Sequence, residues 1–206
     1  MVSYDLSHLT QEENQAVIGP IQDDEALFLY ALIRVMKIKT VVEIGGLSGY
    51  SALNFCKAVG DNGVVISIDV HKTPKVANNH VSIQQDAKLV EGISLGIKKI
   101  DLLFFDCHNY EAQMSFYHNM KNNNFLNDET IIALHDTGTH GSQIVNWSYH
   151  TDQGYVHQKA ERKMVNKFVE MGYSAFCGHA SVEKQKQANF FRHGITVLSK
   201  FKKLCF

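Results

Sequence analysis

The chain reads as α/β: a doubly wound, mostly parallel seven-stranded sheet with helices on both faces and an antiparallel C-terminal edge hairpin. Three observations predict it. From residue 40 onward, short runs rich in β-branched and aromatic residues alternate with longer segments of helical period. One of those runs, residues 100–105, is nearly all apolar, as a parallel strand covered on both faces must be. The stretch Val41-Val-Glu-Ile-Gly-Gly-Leu-Ser-Gly-Tyr-Ser51 passes from strand through a glycine-rich turn into a helix, the junction where open α/β sheets bind their ligands.

Each element follows in order. Residues 21–37 carry Leu27, Tyr30, Ala31, Arg34 and Val35 at helical spacing, with Asp23, Asp24 and Glu25 in the first turn, where acids favour the helix dipole. This segment belongs to a helical extension over 1–38, ahead of a main domain over 39–206. Thr40–Ile44 is the first strand, and Ser51–Val59 the helix after it, with Ser48 or Ser51 as its cap. Residues 63–68 form the second strand, ending at Asp69, and residues 81–84 a short third, followed by Asp86. Residues 87–98 are expected as a helix, 100–105 as the fourth strand, 110–122 as a helix and 130–134 as the fifth strand, ending at His135 and Asp136. Residues 137–157 read as one long loop rich in Gly, His and Thr, then 159–171 as a helix. Residues 173–177 and 194–199 close the chain as paired antiparallel strands.

Composition removes several classes of function. The 206 residues are 45% hydrophobic with two prolines, which excludes a disordered chain and suits one domain. A formal net charge of −1 argues against a dedicated nucleic-acid or membrane-surface partner. No apolar run reaches the roughly 18 residues that span a bilayer, and the N-terminus lacks a basic segment followed by an apolar one. The four cysteines, at 56, 107, 177 and 205, form no C-x-x-C pair, so free thiols in a reducing cytoplasm are expected.

The glycine turn narrows the ligand. A dinucleotide-binding turn spaces its glycines G-x-G-x-x-G and seats a pyrophosphate. Here Gly45, Gly46 and Gly49 follow Glu43 in an E-x-G-x-x-x-G-x-S pattern, and a carboxylate at the strand end would repel a pyrophosphate. It suits a cationic ligand with an amino group, and S-adenosylmethionine carries both a sulfonium and an ammonium. Asp69, after the second strand, can accept both hydrogens of a ribose diol; a solvated strand-end acid is its plainer use. Asp86 can accept from an adenine amino group or cap the segment that follows it.

With those residues in place, the chain resembles the class I S-adenosylmethionine-dependent methyltransferases, and within them the small O-methyltransferases. The segment 42–53 is similar to the first motif of the catechol-type enzymes, L-E-x-G-x-x-x-G-Y-S-A. Asp101-Leu-Leu-Phe-Phe-Asp106 with His108 and Tyr110-Glu111 resembles the F-[IV]-D-G-x-H-x-Y-E signature of bacterial, phage and natural-product relatives, one residue shorter here, and Leu134-His-Asp-Thr137 resembles their fifth-strand L-H-D-T. The resemblance covers about residues 40–199 and implies a Rossmann-like methyltransferase domain. It implies that Glu43, Gly45, Gly46, Gly49, Ser51, Asp69, Asp86 and Asp106 line the cofactor pocket.

Asp106 and Asp136 end adjacent strands and so face one crevice, with His108 and His135 beside them. Two uses stand open. The acids can hold a divalent cation, Mg2+ being the expected ion, which lowers the pKa of a bound hydroxyl. The catechol-type enzymes use Asp, Asp and Asn for this; here Thr137 stands where Asn is expected, and their lysine after the fourth strand has no match. Alternatively an imidazole, His108 or His135 with His140 as a third candidate, takes the acceptor's proton. Trp147, Tyr149 and Tyr155 could wall an acceptor or cover a sheet edge, and Arg192 or His193 could meet an anionic one.

The expected activity is methyl transfer to a hydroxyl of a small molecule, with neither nucleic acid nor membrane as partner and a homodimer left open as the assembly. Two alternatives compete. Ser142, Tyr155 and Lys159 stand at the spacing of a short-chain NAD(P) oxidoreductase. A non-catalytic cofactor-binding subunit of the same fold is the other, against which Glu43, Asp69, Asp106 and Asp136 all remain in place.

Overall fold

The structure, a computed structural model, describes residues 21, 23–137, 148–151, 154–157, 159–178 and 194–200. The expectations placed on residues 1–20, His140, Ser142, Trp147, Arg192, His193 and Cys205 lie outside the described residues, as do the side chains of Tyr149 and Tyr155.

In chain order the elements are α1 (Asp23–Val35), β1 (Thr40–Ile44), α2 (Tyr50–Val59), β2 (Val64–Asp69), β3 (His80–Gln84), β4 (Leu102–Phe105), α3 (Tyr110–Asn122), β5 (Ile131–Leu134), β6 (Ser148–Thr151), β7 (Gly154–His157), α4 (Lys159–Glu170), β8 (Ser174–Gly178) and β9 (Ile195–Ser199). Seven strands form one sheet in the order β3-β2-β1-β4-β5-β9-β8. The first five run parallel, and β9 and β8 add antiparallel at one edge. The expected α/β sheet, with its antiparallel C-terminal hairpin, is therefore what the chain adopts.

Side chains alternate across the central strands, which builds a core on each face. On one face Val42, Ile44, Ile66, Ile68, Leu103 and Phe105 pack with Phe116 and Tyr117 of α3 and Met164 and Phe168 of α4. On the other, Val41, Val65, Leu102 and Phe104 pack with Ala26, Leu29 and Ile33 of α1 and Ala52, Phe55 and Val59 of α2. Phe55 meets Phe104 edge-on at 5.1 Å, and each such buried ring contributes about 1.5–3 kcal/mol by its burial. The α1–α2 pair is also tied by Asn54 Nδ2 donating to the Ala26 carbonyl and the Tyr50 hydroxyl donating to Asp23.

Three local expectations are corrected. Residues 87–98 are not one helix but two 3-10 turns, Ala87–Leu89 and Gly92–Leu95, with Val90 and Glu91 extended between them. Gly92 lies against the Phe125 ring, where no Cβ would fit, and Asn119 Nδ2 holds the Val90 carbonyl at 2.6 Å; both contacts come from distant sequence. Helix α2 is capped by neither Ser48 nor Ser51: its N-cap is Gly49, in the left-handed region at φ 83°. Lastly, the stretch 137–157 is not wholly loop, since β6 and β7 pair as an antiparallel hairpin, Ser148 opposite His157 and Thr151 opposite Gly154.

Strand order reverses between β1 and β4, so their carboxyl ends part to leave a crevice. The β2–β3 crossover, residues 70–79, contains no helix and runs beside the glycine turn. Among the described residues no helix is long and apolar enough to cross a membrane.

Candidate active site

The glycine turn lies over the end of β1 because two glycines let it. Gly45 has φ +100°, and a Cβ there would sit 2.6 Å from the Asp106 carbonyl oxygen and 2.9 Å from the Cys107 nitrogen. Only glycine therefore lets the turn press on the end of β4. Backbone bonds fix the same junction, with Gly45 N–H donating to Ile68 O at 2.9 Å and Asp106 N–H to Ile44 O at 2.8 Å. A Cβ on Gly46 would likewise fall 2.9 Å from the Ser67 Cβ and against Thr73 of the crossover, and one on Gly49 would meet Val76.

Glu43 lies beneath this turn, fully buried on the face covered by α2. Its Oε1 accepts from the Ser51 hydroxyl and its Oε2 from the Ser67 hydroxyl at 2.6 Å. Ser67 in turn lies 2.9 Å from His80 Nε2, while His80 Nδ1 accepts the Val76 N–H at 3.3 Å, which places the ring proton on Nε2. Burial pushes the Glu43 carboxyl up to about 7, against the opposing pull of the two serine hydroxyls. The carboxyl is thus buried and ties α2, through Ser51, to β2, through Ser67.

Asp69 spans the turn and the crossover: Oδ2 accepts the Leu47 N–H at 3.0 Å and Oδ1 the His71 N–H at 2.9 Å. Each oxygen keeps a further lone pair for a ribose diol. Asp86 caps the 3-10 turn by accepting the Lys88 N–H at 2.9 Å.

The second group of residues gathers where β4 and β5 end. His135 N–H donates to the Phe105 carbonyl at 3.0 Å, which sets His135 beside Asp106. His135 Nδ1 lies 2.9 Å from Asp106 Oδ1, and its Nε2 lies 3.0 Å from Glu25 Oε2 in α1. The ring is 3% exposed and engaged on both sides, so it holds Asp106 rather than reaching the crevice. His108, at 12%, is the more open imidazole. Its Nδ1 lies 2.6 Å from Glu161 Oε1, and its Nε2 lies 3.6 Å from Asp106 Oδ1 and 3.4 Å from Asp136 Oδ2. Burial alone would lower both imidazoles. For His108 the bond and charge of Glu161, then Asp106 and Asp136, outweigh it and hold the pKa above its ordinary value. For His135 the Asp106, Asp136 and Glu25 charges hold it well above.

Two of the sequence-predicted residues occupy strained backbone. His108 has φ 52° and Asp136 φ 55°, both rare for residues with a side chain. Ligand atoms of Asp106, His108 and Asp136 all lie within 4.8 Å of one another, so these three could hold a cation. Thr137 does not join them. Its hydroxyl donates to the Gly194 carbonyl at 3.1 Å, accepts from Thr196 at 2.8 Å, and is 1% exposed.

Sequence reasoning missed Glu25 and Glu161, which lock the two imidazoles. A signal was present. Glu161 stands at i relative to Met164, Val165 and Phe168 at i+3, i+4 and i+7, an acid on the apolar stripe of α4; Glu25 stands likewise with Phe28, Leu29 and Leu32 in α1. An acid on a buried stripe needs a partner.

The dehydrogenase spacing finds no matching geometry. A Tyr and a Lys four apart meet on one face only when a helix carries both. Here Tyr155 belongs to β7 and Lys159 opens α4. Ser142 lies outside the described residues.

Comparison with known proteins agrees with this architecture. A family model described as O-methyltransferase matches residues 3–165. Among solved structures, the chain is similar to the O-methyltransferase TomG from Streptomyces achromogenes, involved in tomaymycin synthesis and solved in complex with SAM: TM-score 0.59, 13% identity, 87% of this chain and 81% of that one. It is similar to the SAH-bound methyltransferase PaMTH1 of Podospora anserina, with TM-score 0.57, 19% identity and coverage of 84% and 76%. It is also similar to an O-methyltransferase from Bacillus cereus in complex with SAH, with TM-score 0.59, 12% identity and coverage of 90% and 84%. At these identities the structures establish a shared fold.

Proposed function

The chain belongs to the O-methyltransferase family, and from that membership we propose that it transfers the methyl group of S-adenosylmethionine to a hydroxyl oxygen of a small molecule in the crevice between β1 and β4. One observation carries the reading: Gly45 brings the cofactor turn into contact with Asp106, the acid that opens the Asp106–His108–Asp136 cluster. Donor and acceptor sides therefore share one wall.

In that reading Gly45, Gly46 and Gly49 shape the turn, and Ser51 and Glu43 brace it from below. Asp69 would accept from the ribose, and Asp86 from the adenine amino group. The strand-end acids Asp69, Asp86 and Asp106 make the rim anionic, which suits a cationic donor. S-adenosylmethionine, when bound, would supply a methyl group activated by its sulfonium leaving group. What the protein must add is alignment and a place for the acceptor's proton. The Asp106–His108–Asp136 cluster provides that place, and His135 acts through Asp106 as a positioning residue. The same cluster is of the right make-up for a divalent cation, because ligand atoms of two carboxylates and an imidazole lie within 4.8 Å of one another. Asp106 and Asp136 would hold the ion, and it would supply Lewis acidity toward the acceptor oxygen.

The net charge of −1 supports a small acceptor over nucleic acid or a membrane surface. Free thiols at Cys56, Cys107 and Cys177 support a cytoplasmic location.

Isothermal titration of S-adenosylmethionine and S-adenosylhomocysteine into the full chain, with NAD(P)H as control, tests the reading. Micromolar binding of the sulfur nucleosides with none of NAD(P)H is expected, and Asp136→Asn should keep that binding while abolishing turnover in a hydroxyl-acceptor screen. Full turnover in Asp136→Asn would remove the cluster from the mechanism.

A further inference from the structure

The Asp106–His108–Asp136 cluster carries an inference that deepens this reading and rests on it only for placing a cation at the two aspartates. We propose that the imidazole of His108 is the third protein ligand of that cation, oriented by Glu161, and that the site therefore takes a first-row transition ion such as Mn2+ in preference to Mg2+.

Spacing is the first argument. His108 Nε2 lies 3.4 Å from Asp136 Oδ2 and 3.6 Å from Asp106 Oδ1. These separations are long for charge-assisted hydrogen bonds, which close to about 2.7–2.9 Å. They are close to what neighbouring ligands of one ion require. With bonds of about 2.1 Å, cis ligands of an octahedral ion stand about 3.0 Å apart and those of a tetrahedral ion about 3.4 Å apart.

The orientation of His108 points the same way. A ligating histidine almost always gives its other ring N–H to a carboxylate, which fixes the tautomer and leaves a lone pair facing the ion. His108 has this arrangement: Nδ1 lies 2.6 Å from the fully buried Glu161, and Nε2 faces the two aspartates. A histidine retained only to pair with Asp106 and Asp136 would have no need of a third acid behind it.

Third, the residue in the alternative position is withdrawn. The Thr137 hydroxyl is committed to Gly194 and Thr196, so a set of two aspartates and the residue after Asp136 cannot form. Finally, His108 and Asp136 both hold positive φ, and such conformations persist where the surroundings demand a particular aim of the side chain.

The change of ligand changes the metal. Mg2+ prefers oxygen ligands and keeps several waters, whereas imidazole nitrogen suits Fe2+, Ni2+, Cu2+ and Zn2+; Mn2+, the weakest binder of that first-row series, tolerates one nitrogen ligand better than Mg2+ does and serves as the paramagnetic probe.

Mn2+ and Mg2+ are titrated separately into the full-length chain, and the Mn2+-loaded protein is read by electron spin echo envelope modulation. The expected result is Mn2+ binding at least about tenfold tighter than Mg2+, with the nitrogen modulation of a coordinated imidazole. His108→Ala should lose both the modulation and the Mn2+ preference, and Glu161→Gln should weaken Mn2+ by about tenfold or more. The wild-type spectrum decides the question even if a variant fails to fold. Equal affinity for the two ions, Mn2+ bound without nitrogen modulation, or binding of neither ion would each overturn the proposal. S-adenosylhomocysteine binding, measured on the same samples, separates the two readings. Nucleoside binding without a nitrogen-ligated metal sinks this inference alone, and a nitrogen-ligated metal without nucleoside binding upholds it while sinking the methyl-transfer reading.

Discussion

Nδ1 of His108 and Oε1 of Glu161 lie 2.6 Å apart, joining the end of β4 to the first turn of α4 across 53 residues of sequence. The pair is almost wholly enclosed, at 12% and 0% side-chain exposure. Truncating Glu161 to Ala therefore leaves a buried ring N–H without its acceptor and costs about 2–4 kcal/mol. For a chain of this size that is a fall in Tm of roughly 5–15 °C by calorimetry. Glu161→Gln keeps an acceptor and should lose less than half as much.

Glu43 makes stability fall with pH over a defined window. Its folded pKa is raised from the ordinary 4.5 to about 7. Between those values the unfolded chain has released the proton and the folded chain has kept it, so unfolding gains ground as pH rises. The contribution is complete below about pH 4.5 and is lost as pH climbs through 7, by about 3 kcal/mol in all. Glu43→Gln removes this slope. Urea unfolding at pH 5, 6, 7 and 8 should show the variant gaining on the wild type with each step, and parallel curves would contradict the burial of an ionisable group here.

Gly45 and Gly60 both have positive φ, yet they should respond differently to Ala. A methyl at Gly45 meets the Asp106 backbone, which cannot turn aside, whereas one at Gly60 meets nothing within 4 Å. Gly60→Ala should cost about 1–3 kcal/mol for its conformation alone, since φ 70° with ψ −173° is a region that glycine alone adopts readily. Gly45→Ala should cost about 3 kcal/mol or more and abolish nucleoside binding, because the turn must lift off β4. Chemical unfolding and titration with S-adenosylhomocysteine read the two effects.

Asp69 joins Leu47 to His71 through its two oxygens. Asp69→Ala should weaken S-adenosylhomocysteine binding by about tenfold to a hundredfold, since a charged hydrogen-bonding group is worth about 1.5–3 kcal/mol. Asp69→Asn, which keeps one acceptor oxygen, should fall between. Unchanged affinity in both would remove Asp69 from the ribose.

Thr137→Asn places in this chain the residue expected of the catechol-type pattern, and it should fail to create a Mg2+ site. The position is 1% exposed, and its hydroxyl links Gly194 to Thr196. The larger amide must displace that network at a cost of about 1–3 kcal/mol. A gain in Mg2+ affinity measured by calorimetry would contradict this.

The strand–helix alternation was legible because it rests on local periodicity. Residues 102–105 read as a central strand from their apolar run and are buried on both faces. Asp106, His108, His135 and Asp136 were legible as neighbours because strand ends place them there. What stayed hidden depends on distant partners. The helix expected over 87–98 is undone by Phe125 against Gly92 and by Asn119 on the Val90 carbonyl, and neither contact leaves a mark on the local pattern. Glu43 was legible as a strand-end acid beside the glycine turn, but its burial was not. Its burial comes from Ser67, 24 residues on, and from Ser51 turning inward instead of capping α2. The roles of Glu25 and Glu161 rest on contacts 110 and 53 residues long, so periodicity could flag them as misplaced acids without naming their partners.

The same Glu25 that meets His135 also accepts the Gly194 N–H at 2.5 Å, from a residue 169 positions later. During synthesis on the ribosome, the first helix emerges long before its last partner exists. At roughly 5–20 residues per second the interval is on the order of 10–30 s. For about the first two thirds of it the acid of α1 lacks the imidazole, 110 residues on, and until its end it lacks the amide. The Asp106 end of the crevice can thus be locked only once nearly the whole chain has been translated, so a truncated product carrying every strand through β5 would hold the glycine turn but not a finished catalytic wall.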